Sequence, residues 1–184
     1  MVFRVTREWV VLKRQRPYPS INHLNPSTFS TDWNWCLIAR SLSDDVTIKE
    51  QLEFEFVGRE FQKDAPSCVA GTRLAAVPVR SRLRFAVDFM PRMFELGAAL
   101  VCHGIHTWRD DSAIRYRALL LPFADNAGRP KYAAGAFSHV LAKRDTSAQD
   151  DAVEALAFRD GRWYPIGEAA LAKPSRLGST RGSG

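Results

Sequence analysis

Alternation of apolar and polar positions dominates the chain. Between Gln51 and Phe61, Leu52, Phe54 and Phe56 alternate with Glu53, Glu55 and Val57, which predicts a strand with one buried and one wet face. WNWCLIARSL (33–42) reads as a second strand, joined to the first through a turn at Ser43–Asp44–Asp45. Further on lie three strand-like runs, ALVCHGIHTW (99–108), AIRYRALLLPF (113–123) and KYAAGAFSHVLA (131–142). Turn-forming residues separate them at Arg109–Ser112 and Asp125–Gly128, and no helix fits between, so they predict an antiparallel meander. The last run is rich in small residues, Ala133, Ala134, Gly135 and Ala136, which leave room for bulky neighbours.

Helical spacing is confined to fewer places. Thr6–Gln15 predicts a short helix with Thr6 as its N-cap and Trp9, Val10 and Leu12 as its apolar patch. The proline-rich stretch after it reads as an ordered loop, and residues 62–80 as short broken helices. Leu83, Val87, Met90 and Phe94 fall at helical spacing, predicting one long helix over Ser81–Gly97, kinked at Pro91 and ended by Gly97. After a polar break, AVEALAF reads as one or two helical turns, and FRDGRWYPIG as a small Asp-Gly hairpin carrying Trp163. Four regions result: an N-terminal helix and loop (1–30), a core domain (31–142), a C-terminal extension (143–170) and a Gly/Ser/Arg-rich disordered tail (171–184).

A length of 184 residues fits one domain with extensions, and 46% hydrophobic with 25% charged residues is the composition of a folded chain. No apolar run reaches the ~18–20 residues a membrane-crossing helix needs. The charged N-terminus does not read as a secretory signal, so a cytoplasmic location is expected. Cys36, Cys68 and Cys102 are too widely spaced for a thiolate metal clamp and odd in number, so they read as buried thiols. The net charge of +6 is weighted to the chain ends. Glu50, Glu53, Glu55 and Glu60 in the core, and the lack of any nucleic-acid motif, favour solubility and partner steering over nucleic-acid binding.

The order strand, strand, broken helices, long helix, three strands is that of the PAS fold. Three stretches carry a likeness: LEFEFVGREF with CVAGTRLAAVP, then ELGAALVCHG, then IRYRALLLPFADNAGRPKYAAGAF. On these, over residues 8–142, the chain resembles the single-domain PAS proteins of alphaproteobacteria that lack an attached kinase. The resemblance implies an α+β fold: a PAS-like five-stranded antiparallel sheet with short helices and one long kinked helix on one face, plus an N-terminal helix. It also implies a regulatory or sensory module, not an enzyme, that binds a small ligand or a protein and signals by non-covalent association. The expected partner is a signalling protein or a second copy.

A ligand pocket would lie between the long helix and the inner sheet face, with Phe54, Phe56, Met90, Met93, Phe94, Tyr116 and Leu120 as its walls. Its cofactor, if any, is undetermined. SCVAGTRL around Cys68 lacks the Asn-Cys-Arg-Phe pattern of light-reactive flavin members, and the long helix has no haem-ligating histidine, leaving only His103 or His106 for that role. No metal site is expected, because histidines three apart on a strand point to opposite faces. Arg115, Arg117, Leu119 and Leu121 share the outer face of their strand and form, with Trp9, the expected interface, where the N-terminal helix of this chain or a partner would cover the leucines. Two alternatives are a small enzyme or carrier using the same cavity, with Asp88 and His103 as its best titratable pair, and a weak nucleic-acid binder.

Overall fold

A computed structural model of the chain describes residues 2–24, 33–46, 49–79, 81–107, 113–142, 154–159 and 161–166. Its elements are α1 (Val2–Lys13), β1 (Cys36–Ser41), β2 (Leu52–Val57), α2 (Arg59–Gln62), α3 (Arg82–Val87), α4 (Met90–Leu96), β3 (Ala99–Thr107), β4 (Ala113–Ala124), β5 (Pro130–Ala142), β6 (Glu154–Arg159) and β7 (Arg162–Ile166). The strands make one seven-stranded sheet of order β2-β1-β5-β4-β3-β6-β7, with every neighbouring pair antiparallel. The predicted disordered tail lies outside the described residues.

The expected α+β fold, with a PAS-like five-stranded sheet and one long kinked helix, does not hold. The sheet has seven strands, and among the described residues only α1, with 12 residues, and α4, with 7, reach two turns. The chain is mostly β. Within AVEALAF, the described part from Glu154 on is strand β6 rather than helix: Leu156 and Phe158 alternate with Ala155 and Ala157, and pairing on β3 overrides the helical preference of Ala, Glu and Leu. The long helix is two short ones. Pro91 has no backbone N–H to donate and sits in the first turn of α4, where none is needed, so the proline starts a helix instead of kinking one. Gly97 ends α4 in the left-handed conformation at φ 58°, as its position predicted.

Two apolar clusters sandwich the sheet. On the inner face, Leu83, Val87, Met90, Met93 and Phe94 of α3 and α4 pack with Leu37, Leu52, Phe54, Leu100, Tyr116, Leu120 and Phe137. On the outer face, Val5 and Trp9 of α1 pack with Ala99, Val101, Leu119, Leu121, Phe123 and Ala134. The Trp9 indole Nε1–H donates to the Pro122 carbonyl at 2.9 Å, which anchors the helix to β4. α1 starts at Val2, so Thr6 lies inside it rather than capping it; its hydroxyl is buried with no partner among the described residues. Gly58, just past β2, is required by close approach: a Cβ there would stand 2.3 Å from the Asn34 carbonyl oxygen.

Candidate functional site

The outer face of the central strands divides into two halves. Cross-strand pairing sets Val101, Leu119 and Ala136 in one row and Leu121 with Ala134 in the next, all buried, and Val101, Leu119, Leu121 and Ala134 pack with Val5 and Trp9 of α1. The rows beyond α1 are different. Arg117 lies between His103 and Ser138, and Arg115 between Ile105 and Val140. Both arginines are exposed and Val140 is 61% exposed. Among the described residues no carboxylate pairs with either guanidinium. Being two apart on one strand, the two arginines project from the same face about 7 Å apart.

The inner face holds a charged cluster at the edge of its apolar layer. The Arg82 guanidinium, at the start of α3, donates through Nε and Nη2 to the two Asp64 carboxylate oxygens, the second at 2.9 Å. It also lies 4.8 Å from the centre of the Trp35 ring and 3.4 Å from His139 Nε2. Arginine can only donate, so His139 accepts there with a neutral ring. Burial, then the Arg82 charge, hold the His139 pKa below its usual value, against the opposing pull of Asp64 and Glu60. The imidazole meets Trp35 edge-on at 4.8 Å. The sequence reading missed this cluster; Arg82 is 18 residues from Asp64 and 57 from His139, a separation no local pattern reveals.

The predicted pocket residues are mostly brought together. Phe54, Met90, Met93, Phe94, Tyr116 and Leu120 pack against one another in the inner cluster, and Tyr116 stacks on Phe85 at 4.7 Å. Phe56 is the exception. A bulge shifts the β1–β2 register between Ile38 and Ala39, so Ile38 faces Phe56 while Ala39 faces Phe54. The extra residue, Glu55, inverts the alternation, and Phe56 packs edge-on against Trp33 at 5.4 Å while Val57 takes the inner face. The predicted interface also divides: Leu119 and Leu121 are covered by Trp9 of their own chain, whereas Arg115 and Arg117 are exposed, with no cover among the described residues.

The enzymatic pair is not assembled. Asp88 follows α3 in the helical layer and pairs with Arg84 at 2.8 Å, while His103 lies in the Arg117 row of the outer face. Cys36, Cys68 and Cys102 are buried and in no disulfide among the described residues, and burial pushes the Cys68 and Cys102 thiols up in pKa, which keeps them un-ionised. Among the described residues no group of three His, Cys, Asp or Glu side chains could hold a metal ion, and no helix is long and apolar enough to cross a membrane. An open cleft of about 490 Å³ lies where Tyr18, Asn22 and His23 meet the β4–β5 turn. Its walls are tied to each other: the Asn22 amide donates to Asn126 at 2.8 Å, and Asp125 accepts from the Ala127 and Arg129 amides and the Arg129 side chain. These bonds hold the Asp125 carboxyl below the usual carboxylate range.

No protein-family model, curated protein or solved structure matches the chain. The likeness to PAS proteins therefore rests on the three sequence stretches alone.

Proposed function

We propose that the chain is a regulatory module that works by non-covalent association, docking another protein on the open half of its outer sheet face. The observation that carries this reading is the pair of exposed arginines, Arg115 and Arg117, which have no carboxylate partner among the described residues and stand on the central strand β4 beside apolar Val140 and Ile105. Central strands exposing cationic and branched apolar side chains together match the make-up of protein interfaces, where arginine and apolar area are combined. The same strands bury their other half under α1, so the open rows form a firm platform needing little reordering on binding.

Site-directed photocrosslinking tests the reading. A photoreactive residue at position 140 is expected to capture a discrete protein in the cell, while the same residue at exposed Val69, on the loop after α2, is not. The captured protein, once identified and purified, should bind the intact chain in calorimetry and lose that binding with Val140→Asp. Identical crosslinking patterns at the two positions would refute docking on this face.

A further inference from the structure

We infer that the docked partner presents an extended acidic segment, with carboxylates at alternate positions and apolar residues between them. This inference rests on the docking reading and adds its chemistry. Arg115 and Arg117 stand two residues apart on one strand, so their guanidinium groups repeat at the period with which an extended chain presents its own side chains, about 7 Å. Each can take a carboxylate through two parallel N–H bonds. The neighbours complete the match. Ser138 beside Arg117 offers a hydroxyl donor, while Ile105 and Val140 flank Arg115 on both sides with apolar area. β4 is a central strand with both edges paired, so contact is through side chains and not through added strand hydrogen bonds.

Charge separates this occupant from the others. A second copy docked by the same face would bring like arginines together, which is repulsive. A lipid surface calls for a cluster of about four to eight cations. Nucleic acid is held by grooves of cations interleaved with several stacking rings, where these rows, among the described residues, offer the single ring of His103 and flank Arg115 with Ile105 and Val140.

The probe is a dye-labelled peptide, Gly-Glu-Leu-Glu-Val-Glu-Gly, with a counterpart carrying Gln for every Glu, titrated with the full chain by fluorescence anisotropy. At about 50 mM salt the Glu peptide is expected to bind at least tenfold more tightly than the Gln peptide, and each of Arg115→Ala and Arg117→Ala to weaken it by about tenfold. Arg115→Glu/Arg117→Glu should abolish binding with an unchanged melting curve. Equal binding of the two peptides, indifference to the arginine changes, or binding of phosphatidylserine vesicles or a DNA duplex in place of the Glu peptide would each overturn the acidic assignment. Crosslinks at position 140 that ignore arginine charge overturn this inference and leave the docking reading standing; their absence removes the docking reading itself.

Discussion

Strand β4 carries two contrasting halves on one face. Leu119, Leu121 and Phe123 are at most 1% exposed beneath α1, whereas Arg115 and Arg117, on the same face of the same strand, have no cover among the described residues. The backbone geometry is alike in both halves, so side-chain chemistry decides the outcome. Burying leucine and phenylalanine against Trp9 removes apolar area from water, while burying an unpaired guanidinium would cost several kcal/mol. The cover therefore stops where the arginines begin.

The largest test of this contrast removes the cover. Trp9→Ala deletes a buried ring together with its bond to Pro122, and unfolding in urea should show a loss of about 3–4 kcal/mol. A loss below about 1 kcal/mol would mean that α1 rests loosely on the sheet and that the two halves differ less than their burial indicates.

A second comparison sets paired Arg82 on the inner face against the open arginines of the outer one. Arg82 and Asp64 have side chains only 17% and 15% exposed, so removing the carboxylate leaves a sheltered cation facing Trp35 and a neutral imidazole. Asp64→Ala should cost about 2 kcal/mol in the same urea experiment, and Asp64→Ala with Arg82→Met should recover part of it, because the orphaned charge goes too. Additive losses in the double variant would show that the pair is not coupled.

How much of this was legible beforehand follows from the range of each interaction. The strands of residues 99–142 were readable because alternation persists over each run and the Asp125–Gly128 turn is local chemistry. Cover of Leu119 and Leu121 by the N-terminal helix was legible from their apolar exposure, but whether it came from this chain or a partner was not, since α1 arrives more than a hundred residues away in sequence. AVEALAF misled because its composition favours helix while the paired edge of β3 lies far off in sequence. Leu83, Val87, Met90 and Phe94 kept helical spacing across a break, so periodicity joined what Pro91 divides. The Phe56 reversal depends on a bulge set by β1, and the Asp64–Arg82–His139 cluster on contacts that look, residue by residue, like ordinary surface charges.

Acid sharpens the inner-face comparison by a smaller amount. His139 has a folded pKa below 6.5, so above that value it is neutral in both folded and unfolded chains and contributes no slope. As pH falls through 6.5, the unfolded chain takes up a proton that the folded cluster resists, and stability declines until the folded pKa is passed. Urea midpoints should therefore fall between pH 7.5 and 5, and His139→Gln, which can still accept from Arg82, should flatten the curve. A wild-type slope retained in His139→Gln would place the titrating group elsewhere.

The smallest effect belongs to the open arginines, and its smallness is informative. Residues that serve the fold lower stability when truncated, whereas residues held out for a partner do not. Arg115→Ala and Arg117→Ala should each change stability by no more than about 0.5 kcal/mol. Two like charges about 7 Å apart also repel, so each variant should gain slightly at low salt. That gain should vanish near 1 M salt, where charges are screened within about 3 Å. A loss above about 1 kcal/mol at any salt would assign these arginines to the fold. Both halves of β4 would then be structural, and the case for a docking face would lose its main support.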